Sequence, residues 1–107
     1  MRGKIVPVIL TGLLIGCTIS RAKYPEQLAA SECDLYESCD LLEAFGGSYE
    51  QCEEIVEIVE IARVSAEACD YSGADAQRCI EAMSEASCDD LRDDALEEES
   101  PCEMVCG

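Results

Sequence analysis

The residue type with the most chemistry to offer in this chain of 107 residues is cysteine, of which there are nine. Thiols serve as disulfide halves, metal ligands, redox centres or points of lipid attachment. Eight of them lie between residues 33 and 106: Cys33, Cys39, Cys52, Cys69, Cys79, Cys88, Cys102 and Cys106. Cys17 stands apart, behind a short apolar run. A structural zinc site calls for close pairs such as Cys-x-x-Cys. Here the shortest spacings are Cys102 to Cys106 and Cys33 to Cys39, and no Cys-x-x-Cys occurs. That also argues against thioredoxin-like exchange, and the spacings of iron–sulfur ligands are absent too. Histidine, the commonest general base and metal ligand, is missing altogether. The expectation is an even set of eight cysteines closed into structural disulfides, with no resident metal and no cofactor on them.

Carboxylates are the second resource. Asp89-Asp90, Asp93-Asp94 and Glu97-Glu98-Glu99 form the densest acidic run. Calcium takes six to eight oxygen ligands, so a divalent-cation-binding module is one reading. An EF-hand-like loop also needs a turn glycine, and none lies between Gly73 and Gly107. Unpatterned acidic runs serve more often as solvated faces, and that reading is preferred. Every helical segment carries paired carboxylates, none singled out for acid–base work. A Gly-rich phosphate loop, a Gly-x-Ser-x-Gly elbow and a Cys/His dyad are absent, so the expectation is a protein that is not an enzyme.

Arg2 and Lys4 precede an apolar stretch from Ile5 to Ile15, eleven residues interrupted by Pro7 and Gly12. A spanning helix needs about 20 apolar residues, so this run has the length of a signal h-region. It ends in Leu14-Ile15-Gly16-Cys17. This tetrapeptide resembles the lipobox of bacterial lipoproteins. The resemblance implies a signal peptide over 1–16, cleavage before Cys17, diacylglycerol on its sulfur and a further acyl chain such as palmitate on its amine. Thr18 follows where an aspartate would imply inner-membrane retention, so the resemblance leans toward the outer membrane. Small residues also permit cuts after Ser20 or after Ala22. Those would give a soluble secreted disulfide-rich effector or inhibitor, and the alternative stays open.

From Cys17 onward there are 91 residues, one domain at most. Two of the seven basic residues precede Cys17 and all 24 acids follow it, leaving five bases against 24 acids, a net −19. Phosphate contacts need lysine and arginine, so a nucleic-acid partner is excluded, and so is electrostatic attachment to anionic headgroups. Any protein partner drawn by charge is cationic. Eight cysteines in so small a domain mark a disulfide scaffold of an oxidising compartment. Asparagine is absent, which removes N-glycosylation.

Residues 17–30 are predicted to be a lipidated N-terminus and polar tether, with helix an open alternative for part of Glu26 to Ala30, and 31–107 a cysteine-rich helical domain. Ser31 to Asp34 resembles a capping box opening a helix to about Phe45, closed by Gly46-Gly47. On it Leu28, Leu35, Cys39 and Leu42 lie near one face, with Cys33 well off that stripe, so its partner should approach from another side. Ser48 to Gln51 is a second capping box, opening a helix from Tyr49 to Asp70. There Cys52, Ile55, Val56, Ile58, Val59, Ala62, Ala66 and Cys69 share a broad apolar arc, predicted to face the core. Glu53, Glu57, Glu60 and Glu67 would form its solvated back. Ala74 to Ala86 reads as a third helix with Cys79, Ala82, Met83 and Ala86 inward. Ser87 to Asp90 caps a short fourth helix to about Leu96. The fold class expected is all-α, a small bundle of three or four short helices stapled by about four disulfides. Two local pairings follow from the turns, Cys39 with Cys52 across Gly46-Gly47 and Cys79 with Cys88 across the next junction. The sequence leaves the rest open.

The segment from Ser31 to Gly107 also resembles the small cysteine-rich lipoproteins of myxobacterial-type genomes. The resemblance rests on Cys33-x₅-Cys39, on Cys69-Asp70-Tyr71 leading to Ala76-Gln77-Arg78-Cys79-Ile80-Glu81-Ala82-Met83, on Ala86-Ser87-Cys88-Asp89, and on Pro101-Cys102-Glu103-Met104-Val105-Cys106. It implies an envelope location and disulfides, and assigns no activity. The expected function is a lipid-anchored envelope protein of structural or binding type.

Overall fold

The first helix begins seven residues before the Ser31 box, in a computed structural model that describes residues 18–92 and 101–107. Helix α1 spans Tyr24–Ser38, with Pro25 in its first turn, where a missing amide donor costs nothing. The Ser20 carbonyl accepts from the Lys23 and Tyr24 amides at 3.1 and 3.0 Å, and the Ser20 hydroxyl from the Lys23 amide at 3.3 Å. Ser31 lies mid-helix and caps nothing.

The expected tether is therefore part of the fold. Ile19 is 7 % exposed and belongs to the main core. Its amide donates to the Gly73 carbonyl at 3.2 Å, and its carbonyl accepts from the Tyr71 hydroxyl at 2.6 Å. A Cβ at Gly73 would lie 2.9 Å from the Ile19 carbonyl oxygen, so a glycine is what admits the strand-like contact there.

Helix α1 stops at Ser38, short of Phe45. Asp40 takes a left-handed φ of 57°. The Leu41 amide donates to the Tyr36 carbonyl at 2.8 Å and the Asp40 amide to the Glu37 carbonyl at 3.2 Å. This is a Schellman termination with aspartate in the place glycine usually fills. A 3-10 turn, Leu42–Phe45, follows. Its end uses Gly46 and Gly47, both at φ 79°.

Helix α2 spans Tyr49–Ser65, and the Ser48 hydroxyl accepts from the Gln51 amide at 3.3 Å, as its box predicts. It ends five residues before Asp70, because Ala66 turns extended and the Cys69 amide closes a turn on the Ala66 carbonyl at 3.0 Å. Helix α3 spans Gly73–Glu85, capped by Ser72, with Ala76, Cys79 and Met83 buried. Helix α4 spans Cys88–Arg92. Its box is reciprocal: the Asp90 amide donates to the Ser87 hydroxyl at 3.1 Å and the Ser87 amide to the Asp90 carboxylate at 3.0 Å. A last 3-10 turn, Pro101–Met104, leads to Val105, fully buried. The Val105 carbonyl accepts from the Ser72 amide at 2.8 Å, which fixes the C-terminal segment against the α2–α3 junction. Among the described residues there is no strand, and the fold is a disulfide-stapled all-α one.

The four disulfides are Cys33–Cys52, Cys39–Cys88, Cys69–Cys106 and Cys79–Cys102. Both local pairings are thus corrected. Cys33 and Cys39 are six apart, about 240° of α-helix rotation, so the two thiols leave α1 in different directions. Cys33 faces α2 and joins Ala29, Cys52 and Val56 in a small second core, as its place off the Leu28–Leu35 stripe implies. Cys39 belongs to the main core with Leu28, Leu35 and Val64, where Cys88 packs. Helix face, not distance from a turn, selects the partner. Likewise Cys79 points inward from α3 onto the C-terminal segment and takes Cys102.

The largest correction concerns α2. Its buried row is Cys52, Val56, Glu60 and Val64, four residues apart in each step. The predicted inward arc is largely outward: Ile58 is 65 % exposed and Val59 57 %. Of the predicted solvated back, Glu60 turns inward at 8 % exposed, Glu53 and Glu57 are half-buried, and Glu67 is exposed beyond the helix end. The Glu-Ile-Val triplets make the helix apolar on two faces, and pattern alone does not say which one the rest of the chain covers.

Candidate functional site

Glu60 is buried because the Cys52–Val64 row faces α1, and it has a partner one turn on. Arg63 grips it in a forked ion pair, with Nη2 to Oε2 at 2.7 Å and Nε to Oε2 and Oε1 at 3.0 and 3.2 Å. Arg63 Nη2 also donates to the Cys102 carbonyl at 3.3 Å, which links α2 to the C-terminal segment. The bidentate bond to Glu60 holds the Arg63 guanidinium more firmly protonated, against the opposing effect of burial. Beside this pair stands Tyr24, fully buried, its hydroxyl donating to Cys79 Sγ at 3.4 Å.

These groups floor a cleft of about 390 Å³ between α1, α2, α3 and the C-terminal segment, lined also by Leu28, Glu32, Met83 and Glu103. Its chemistry is that of a guanidinium and a phenol among carboxylates. A small cationic group entering it would compete with Arg63 for Glu60. Among the described residues no group of three or more acids and cysteines is arranged to hold a metal ion. The run from Asp93 to Glu99 lies outside the described residues, as do Cys17 and the segment before it.

Burial raises the Tyr24 phenol well above its ordinary value of 10.0, with the nearby Glu60 charge adding to it. A raised value means the fold prefers the neutral phenol. The stabilisation is fully present below pH 10 and is lost as pH climbs beyond it. The unfolding free energy measured in urea should therefore fall from about pH 10 upward, and Tyr24→Phe should make that fall shallower. Tyr49, raised chiefly by its hydrogen bond to Asp34 at 2.6 Å, keeps a residual slope in the variant. Equal slopes in both proteins would refute the assignment to Tyr24.

The eight predicted disulfide cysteines are all paired with one another, and none lines the cleft except Cys102. Sequence reading missed Tyr24, Glu60 and Arg63. One signal was present: Arg63 is the only base between Tyr49 and Ser65, and it stands three residues from Glu60, a pairing distance on a helix. A second feature it missed is the outward apolar row of α2. Comparison with protein-family models, with curated proteins and with solved structures returns no match to this chain.

Proposed function

We propose that this protein is a lipid-anchored component of a bacterial cell envelope, of structural or binding type, attached through Cys17. The observation that carries the reading joins sequence to fold. Leu14-Ile15-Gly16-Cys17 offers a cut before Cys17, while the rival cuts follow Ser20 or Ala22. Either rival cut would remove Ile19 from the main core, together with its hydrogen bonds to Gly73 and Tyr71. Cleavage before Cys17 keeps the folded domain whole. The pairing of the other eight cysteines among themselves also leaves Cys17 outside the disulfide set. Two or three acyl chains anchor firmly where one alone binds marginally, since each buried methylene contributes about 0.8 kcal/mol. With Ile19 fixed in the core, Thr18 alone separates the anchor from the domain. The acidic domain then lies directly against the bilayer surface, in contrast to the stand-off that a long tether would give. The outer membrane is the favoured address, because Thr18 replaces a retention aspartate.

Metabolic labelling with a palmitate analogue tests this. The wild-type chain should take up label and Cys17→Ser should not. The intact mass under non-reducing conditions should start at Cys17 and include acyl chains and four disulfides. Label retained by Cys17→Ser, or a mature chain starting at Arg21 or Lys23, would overturn the proposal.

A further inference from the structure

Helix α2 is apolar on two faces, and the fold covers one of them. Ile55 is 44 % exposed, Ile58 65 %, Val59 57 % and Ile61 45 %. At about 100° per residue, Ile55, Ile58, Val59 and Ala62 fall on one strip whose centre lies about 130° round the helix from that of Cys52, Val56, Glu60 and Val64. Contiguous exposed aliphatic rows of this kind mark interaction surfaces.

The charges along one edge of the strip identify the occupant. Ile61 and Ser65 follow Glu54 by seven and eleven residues, so each stacks within about 20° of Glu54 on that edge. Glu54 sits at its N-terminal end. At its C-terminal end Arg21 shares a surface depression with Ile61 and Ser65. Arg21 is exposed there, its guanidinium 5.5 Å from the Tyr71 ring centroid and 3.4 Å from the Cys69 carbonyl. One edge of α2 thus carries an acid at one end and, at the other, has a base beside it from the turn before α1.

We propose that this strip is the interface of a homodimer in which two α2 helices pack antiparallel. A two-fold axis passing between Ile58 and Val59 superposes the uncharged centre of the strip on itself. It preserves each edge while reversing direction, as an isologous contact must. Glu54 lies four to five residues before that axis. It therefore meets the level four to five residues beyond it on the other copy, between Ile61 and Ser65, where Arg21 lies. Each dimer gains this acid–base juxtaposition twice. The apolar centre is free of charge, and the like charge of the two domains acts over distances comparable to the ~8 Å screening length at physiological salt. A cationic helix from another protein would suit Glu54 but would oppose Arg21. A bilayer surface would suit Arg21 but would oppose Glu54. A second copy satisfies both ends. One short helix per chain makes an interface below the standard size of about 800 Å² per partner, so the dimer is a weak one.

The full chain should be tested in cells, with two differently tagged copies and a photo-reactive amino acid at position 58 or, as control, at exposed Arg78. Position 58 should yield a cross-linked species carrying both tags, and position 78 should not. Arg21→Glu should reduce the 58–58 product at least threefold. Glu54→Arg added to Arg21→Glu should restore it, since the charges are then exchanged within each pair. Non-reducing mass with four disulfides serves as the folding control for every variant. Cross-links from position 58 only to lipid or to another protein, no dual-tagged product, or failure of the charge exchange to restore it would each overturn the proposal. The outcome does not depend on acylation of Cys17.

Discussion

Replacing Cys39 and Cys88 together with alanine should lower the unfolding free energy by about 4 kcal/mol, read from urea or guanidinium transitions. The bond closes the longest loop of the four, with a sequence separation of 49, and ties the C-terminus of α1 to the start of α4. In the chain-entropy account, cross-linking restricts the unfolded ensemble more as the loop lengthens. Cys33–Cys52, with a separation of 19, should then be worth about 3 kcal/mol on the same basis. The comparison is informative because packing argues the other way. Cys33 and Cys52 are both fully buried and form the centre of the second core, whereas Cys88 is only partly buried. If lost packing outweighs unfolded-state entropy, the Cys33/Cys52 double variant is the more damaged of the two. A domain of this size has about 5–15 kcal/mol in total, so either loss is a large share, and full reduction should unfold the protein. A Cys39/Cys88 variant within 1 kcal/mol of wild type would contradict the loop argument.

Arg63→Met should cost about 2–3 kcal/mol at neutral pH. Breaking a buried ion pair by removing one member typically costs about 3–5 kcal/mol, because the remaining charge is left without compensation. Here the Glu60 side chain is 11 % exposed and that of Arg63 36 %, so solvent screens part of the loss. The variant also deprives the Cys102 carbonyl of a donor. Adding Glu60→Leu to Arg63→Met should recover most of the stability, since an apolar pair of similar volume removes the unpaired carboxylate altogether. Thermal and urea unfolding of the two variants would show it. A double variant no more stable than Arg63→Met would mean that Arg63 matters through its contact with the C-terminal segment and not through Glu60.

The caps and turns were legible along most of the chain. Ser48 with Gln51 and Ser87 with Asp90 act as caps because their hydroxyls reach the first orphan amides within three residues, a local event; Ser72 caps α3 in the same way but carries no box to mark it. Asp40 was not legible as a helix stop. A left-handed residue at a helix end is most often glycine, and the nearest glycines downstream are Gly46-Gly47. The start of α1 was missed for a related reason. Tyr24-Pro25 looks like a break inside a polar tether, yet proline in a first turn starts a helix as readily as it ends one. The cleft residues were least visible, since Tyr24, Glu60 and Arg63 come from two helices and meet only when these pack.

Sequence by itself determined the helical class, the even set of eight cysteines, the acidic charge and a stretch, Leu14-Ile15-Gly16-Cys17, that resembles a lipobox. These rest on composition, on spacing within a turn or two, and on a contiguous motif. Tertiary structure alone decided which cysteines pair, that Ile19 is core and not tether, and which face of α2 turns inward. The physical reason is the same in each case. A thiol or an aliphatic side chain has no intrinsic preference among apolar partners, so its fate follows from which helix faces the rest of the chain covers. On α2 that coverage buries Glu60 with Arg63 and leaves Ile55, Ile58 and Val59 to the outside.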